Sequence, residues 1–225
     1  MKKNILIVGA SRGIGAAVAR FYDAKDDNIF SVSRTPSAIG EWIEADISKP
    51  EGIEKVITTV STRRIDALLF MGGVWEQEAF SDGYDFRKSP FEETQFVINV
   101  NLIAPIEITK GLLNNLKQSE NPRAIYMGSI SGLELCPSPE VANSASKFGL
   151  RGSIQALRCG LKEEGIGFTV INPGLVATEE VIEDMNSGRT PTQNPIPLAD
   201  VIQAVDWILG LSKFTEVGDV NLMQK

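Results

Sequence analysis

The chain has 225 residues, 43% hydrophobic and 23% charged, with a formal net charge of −7. That balance belongs to a soluble α/β-sized chain with a substantial core, and an acidic chain without a basic cluster argues against nucleic acid and anionic membrane as partners. There is no histidine, and the two cysteines, Cys136 and Cys159, have no metal-ligand spacing; His-based triads and metal sites are excluded, and free thiols fit a reducing cytoplasm.

From the N-terminus, "NILIVG" is a short apolar run broken by Gly9, too short for the roughly 20 apolar residues of a membrane helix, and without the cleavage signature of a signal peptide. It reads as a first β-strand over Ile5–Val8. Further buried strands are expected at Ile29–Val32, Ala67–Met71, Ala124–Met127 and Phe168–Ile171, each a continuous apolar run, with weaker candidates at Trp42–Ala45 and Val217–Met223. Helical periodicity covers residues 14–24, 51–62, 92–118, 140–164 and 198–211. Strands alternating with helices in this way predict right-handed βαβ crossovers. The fold class is α/β: a Rossmann-type, doubly wound, mostly parallel seven-stranded sheet with helices on both faces. One domain over 1–225 is expected, with irregular substrate-side loops at 74–91 and 178–197. Within them Trp75, Phe80 and Met185 suggest apolar pocket walls.

The strongest local signal is "ILIVGASRGIG", an apolar strand running through Gly9, Gly13 and Gly15 into a helix near Ile14. Glycines there let a pyrophosphate approach backbone N–H groups at a helix N-terminus. An ordinary glycine-rich turn is the bland alternative. An NAD site places an acid after the second strand for the ribose 2′-OH, whereas an NADP site places a cation there. Here the second strand ends in Ser33 and Arg34, and Arg12 lies in the glycine turn, so two guanidiniums can converge on a 2′-phosphate. NADP(H) is the expected cofactor, although each arginine alone could be a solvated surface residue.

These segments resemble the short-chain dehydrogenase/reductase family, over essentially the whole chain. "GASRGIG" has the form of that family's glycine turn, including Ser11. "EADIS" is similar to the segment whose acid, here Asp46, meets the adenine amino group while the next residue, Ile47, packs on the ring. "VNL" resembles the segment of the active-site Asn, here Asn101. "MGSISG" resembles the strand end with the catalytic Ser, here Ser129. "SASK" supplies Lys147, and "INPGLVAT" supplies Pro173, Gly174, Val176 and the carboxamide-binding Thr178. The resemblance implies hydride transfer between a nicotinamide and a small carbonyl or alcohol, no metal, and a homodimer or homotetramer built through residues 92–118 and 140–164.

Two departures stand out. The family's Asn-Asn-Ala-Gly run is replaced by Phe70, Met71, Gly72 and Gly73, which keeps the small residues beside the cofactor and loses the amides. Four residues before Lys147, the resemblance places a proton-donating Tyr where this chain has Asn143. An amide donates a hydrogen bond but releases no proton near neutral pH. Of the three tyrosines, Tyr22 lies on the first helix, strand alternation points Tyr126 away from Ser129, and Tyr84 sits in a loop that could fold over the pocket. Glu140 and Cys136 are further conceivable acids, Glu140 having a blander role as favourable charge at a helix N-terminus. Water, or Lys147 itself, could also supply the proton. Two functions are therefore expected: an NADP(H)-dependent oxidoreductase with a non-standard proton donor, or an inactive NADP(H)-binding homologue serving as sensor, regulator or scaffold.

Overall fold

A computed structural model describes residues 2–134, 136–190 and 192–225. Pro191, which falls in the expected substrate-side loop 178–197, lies outside the described residues, as do Met1 and Leu135. The seven strands are β1 (Asn4–Val8), β2 (Asn28–Ser33), β3 (Glu41–Glu44), β4 (Ala67–Phe70), β5 (Arg123–Met127), β6 (Gly167–Pro173) and β7 (Asp219–Leu222). They form one sheet in the order β3-β2-β1-β4-β5-β6-β7, and every neighbouring pair is parallel. The chain winds outward from β1 to β3, returns to the other side of β1 for β4, and continues to β7. The crevice beyond the carboxyl ends of β1 and β4 is thus a topological switch point, where open α/β sheets bind ligands.

Side-chain alternation along the strands divides the core into two layers. Ile5, Ile7, Leu69 and Ile171 face α1 (Gly13–Asp23) and α8 (Leu198–Gly210). Leu6, Val8, Leu68 and Val170 face the opposite layer, built from α2 (Pro50–Val60), α4 (Ala104–Gly111), α5 (Leu113–Leu116) and α6 (Val141–Gly160). Burial on both faces explains why these strands read as unbroken apolar runs. Tyr126 points into the layer that holds Phe70 and Ile108. It is fully buried, stacks on Phe70 with ring centroids 5.3 Å apart, and its hydroxyl lies 2.6 Å from that of Thr109; burial raises its pKa. Tyr22 is likewise buried and donates to Asp206 at 3.2 Å, with burial first and then Asp206 raising its pKa.

Two sequence expectations change. The single helix expected over 92–118 is divided into α3 (Phe91–Ile98), a π-helical turn over Asn99–Ile103, α4 and α5. Pro105 has no N–H for the Asn101 carbonyl and its ring would collide with that group, so the turn widens. Ala104 N–H consequently bonds the Asn99 carbonyl, five residues back. The second change lies in the segment 178–197, expected to be irregular. It contains the helix α7 (Glu179–Asn186), whose N-cap is Thr178, its hydroxyl oxygen accepting from Val181 N at 3.3 Å. Segment 74–91 is irregular as expected apart from one short 3₁₀ turn at Phe86–Lys88 before α3 begins. Among the described residues no helix is long and apolar enough to cross a membrane.

Candidate active site

The parallel sheet brings most of the predicted residues to one edge, because each follows the carboxyl end of a strand. Gly9 to Gly15 follow β1, Arg34 follows β2, Gly72 and Gly73 follow β4, Ser129 follows β5, and Gly174 to Thr178 follow β6. At the glycine turn, Gly9 has φ +87°, a left-handed conformation that suits glycine, and a Cβ there would lie 2.5 Å from the Gly72 Cα. A Cβ on Gly15 would lie 2.0 Å from the Gly9 carbonyl oxygen. Gly15→Ala therefore forces the turn and α1 apart, and we expect more than about 3 kcal/mol of lost stability in chemical denaturation. Ser11 and Ile14 are half-buried in the same turn, and Gly13 approaches Thr178, whose Cγ2 would lie 3.6 Å from a Cβ at 13.

The start of α1 fits a pyrophosphate on the structure's own terms. No side chain caps it, no acid stands in its first turn, and the glycines leave the backbone uncovered. Beyond β2, Arg34 is exposed and its guanidinium lies 5.8 Å from the Phe96 ring centroid. Ser33 is buried, donating to the Thr35 carbonyl at 2.7 Å and accepting from Trp42 Nε1 at 3.2 Å. Asp46 Oδ1 accepts from both the N–H and the hydroxyl of Ser48, at 3.1 and 2.7 Å. Partial burial pushes its pKa up, but these bonds, with Lys49 and Arg34 nearby, hold it below the usual carboxylate value. Ile47 packs against the α2 side of the core. Arg12 is exposed and its guanidinium lies 3.5 Å from the Glu180 carboxylate of α7.

At the other end of the edge, Lys147 is the central group. It is 7% exposed, and its ammonium donates to the Met127 carbonyl at the end of β5 at 3.0 Å. Burial lowers its pKa from 10.5 to about 8. A Cβ on Gly73 would lie 3.2 Å from Lys147 Nζ and 3.6 Å from Asn101 Oδ1, which places the β4 turn beside both. Asn101, on the π-helical turn, accepts from Val74 N at 2.9 Å and donates to Val74 O at 2.7 Å and Ser146 Oγ at 3.1 Å. The turn widened by Pro105 is what carries this amide. Ser129 is half-buried, its hydroxyl 3.2 Å from that of Ser131.

Asn143 lies one helical turn before Lys147 on α6 and is 2% exposed, and its side-chain amide makes no hydrogen bond among the described residues. Gly174 N donates to Leu222 O at 2.8 Å, Val176 bridges to Ile196, and Pro173 ends β6. Of the other candidate acids, Cys136 is a half-buried free thiol. Tyr84 does fold toward the site, its hydroxyl accepting from Val141 N at 3.2 Å. Glu140 stands at the N-cap position of α6, the helix N-terminus where its charge was expected, but its side chain makes no capping bond; the carboxylate accepts from Phe80 N at 2.7 Å and from the Ser138 hydroxyl. The residue missed in the sequence is Glu76. It is 2% exposed, and its carboxylate accepts from Ala142 N at 2.6 Å and Asn143 N at 3.2 Å. Nothing local announces it, since its partners are 66 and 67 residues away in the chain.

Residues 3–187 match the short chain dehydrogenase family. Among curated relatives, glucose 1-dehydrogenase 2 of Bacillus subtilis (strain 168) is 27% identical over 231 residues, covering 92% of this chain and 87% of its own. The solved structure of ElxO with NADP bound superposes with a TM-score of 0.83 at 21% identity, covering 99% of this chain and 98% of that one. That of 4-hydroxyisoleucine dehydrogenase complexed with NADH gives 0.82 at 20% identity, covering 99% and 97%. The seven-stranded parallel architecture is the one these structures share. By its match over most of its length, the chain belongs to the short-chain dehydrogenase family of oxidoreductases.

Proposed function

We propose that this protein is an NADP(H)-dependent oxidoreductase that interconverts a small carbonyl compound and its alcohol with a proton donor other than tyrosine. The observation that carries the proposal is Lys147, a buried ammonium held to β5 beside the amide of Asn101, the wall of Gly73 and, one turn away, Asn143. A cation costs free energy to bury, so a site that holds one without an acid partner among the described residues points to a role in binding or chemistry. When bound, the nicotinamide supplies or accepts the hydride. Lys147 uses one of its three donors on Met127 O, leaving two for ribose hydroxyls. Ser129 can turn its hydroxyl from Ser131 to a substrate oxygen, and Asn143 can donate an amide N–H to that oxygen. In reduction, the carbon gains the hydride and the oxygen gains a proton. With a pKa near 8, Lys147 is suited to supply that proton directly or through a water near neutral pH.

The redox residues are gathered at one edge, which favours the enzyme over the inactive binding protein. NADP(H) over NAD(H) is supported by the acid-free end of β2, by exposed Arg34 and Arg12, and by the NADP held in ElxO. Arg34→Asp should lower NADPH affinity about tenfold or more and leave NADH affinity within a few-fold, as measured by fluorescence titration. Equal losses would reject a 2′-phosphate contact. The overall proposal is tested by following NADPH absorbance with a panel of aldehydes and ketones. Turnover that falls further in Ser129→Ala supports it, and binding without turnover across the panel overturns it. We also propose a cytoplasmic homodimer or homotetramer, with exposed Ile103, Val141 and Phe148 within the expected contact segments as supporting features. The mass in solution tests the oligomer.

A further inference from the structure

The first four N–H groups of an α-helix, from the N-cap to the third helical residue, have no partner within the helix and need one from outside. In α6, the helix that carries Asn143 and Lys147, the last three of these are met from the segment after β4. Val141 N bonds Tyr84, while Ala142 N and Asn143 N bond the carboxylate of Glu76. The helix itself places no acid in its first turn, so Glu76 is its charged cap. Among the described residues no cation pairs with Glu76. Its buried charge is compensated by these two N–H groups and by the helix dipole.

The same segment is fastened elsewhere. Val74 is bonded on both its N–H and carbonyl by Asn101, Gln77 N donates to Glu93 at 2.6 Å, and Phe80 N donates to Glu140 at 2.7 Å. Between the fastenings, Glu78 and Phe80 take φ of +60° and +64°, a conformation unfavourable for residues with a Cβ. The bonds hold the segment in this shape, with Trp75 and Phe80 packed edge to face at 5.8 Å and both exposed on the substrate side.

We propose that Glu76 is a positioning residue for the redox site: by capping α6 it locks segment 74–84 to the helix bearing Asn143 and Lys147. The substrate-side wall and the nicotinamide side of the site are thereby set as one unit. Glu76 binds the backbone of residue 143, so it fixes where that side chain is presented whatever residue stands there. The role in redox positioning rests on the oxidoreductase reading; the lock itself does not.

Glu76→Ala and Glu76→Gln test it by hydrogen exchange and by the fluorescence of bound NADPH. In Glu76→Ala, exchange at the amides of 142 and 143 should quicken by about tenfold or more, with Leu150 and Ile154 as unmoved controls in the same helix. Glu76→Gln should lie between, since its carbonyl oxygen can replace Oε1, which accepts from both N–H groups, but it lacks the negative charge and the second acceptor that Oε2 offers Asn143 N. It also keeps the test alive if Glu76→Ala fails to fold. NADPH affinity should stay within about twofold, because the glycine turn and arginines are untouched, while the emission of the bound nicotinamide changes. Unaltered exchange in both variants overturns the lock. Faster exchange with unaltered emission reduces Glu76 to a helix cap and overturns the positioning role. If the wild type binds NADH and not NADPH, the NADP assignment fails and the emission test proceeds with NADH; if it binds neither, the redox reading and the positioning role fall together, and exchange still decides the lock.

Discussion

Replacing Lys147 by Met should stabilise the cofactor-free protein at pH 7 by about 3 kcal/mol while weakening NADPH binding about 100-fold. The two effects have one origin. The ammonium is buried with one carbonyl partner among the described residues, and burial lowers its pKa from 10.5 to about 8. At pH 7 the lysine is charged in both folded and unfolded chains, and the folded one bears the cost. Above pH 8 the folded lysine releases its proton before the unfolded one does, so the unfolded state binds more protons and stability rises with pH until about 10.5. The advantage of Lys147→Met should therefore be full below pH 8 and shrink across that window. Thermal melts at pH 7 and pH 10, with NADPH titrations at pH 7, measure both halves. A Met variant less stable than wild type at pH 7 would show that the buried ammonium is compensated by something other than Met127. Stability surrendered at a binding group is a common exchange at functional sites.

Asn143→Tyr should raise NADPH-dependent carbonyl reduction by about 100-fold, within the 10²–10⁴-fold range of acid–base assistance. Three features prepare the site for the phenol. Lys147 stands one turn on, where its charge would lower the pKa of the phenol. Asn143 leaves its amide without a hydrogen bond among the described residues, so none is lost. Glu76 holds residue 143 by its backbone N–H, an interaction that any side chain keeps. Initial rates with a reactive aldehyde, compared for the two proteins at equal NADPH saturation, give the result. Unchanged rates would mean that Lys147, or a water, already delivers the proton as fast as a phenol could.

What the sequence revealed follows from how local each determinant is. The strands were legible because burial on both faces makes each a continuous apolar run, and even the weakly apolar Glu41–Glu44 and Asp219–Leu222 were found near their expected places. The glycine turn was legible because backbone approach demands glycine itself. Pro105 was in plain view within the helical pattern at 92–118, yet periodicity alone continued across it. Helix α7 was missed because it is only two turns long and, although Val181, Ile182 and Met185 can share one side of it, it buries none of them. Thr178 followed by Glu179 and Glu180 was the signal that could have found it, a capping hydroxyl and two acids at a helix start. Glu76 had no such signal, since capping from another part of the chain is written only in the fold.

That capping also bears on the order in which the chain can assemble. The first turn of a helix is its least favourable step, since several dihedrals are fixed for one hydrogen bond. For α6, the groups that satisfy that turn lie at residues 76 and 84, and both leave the ribosome well before residue 141. Synthesis from the N-terminus thus presents the helix with its receptor already made, whereas a circular permutant opened between 90 and 140 would present the helix first and leave its N-terminus waiting for the rest of the chain.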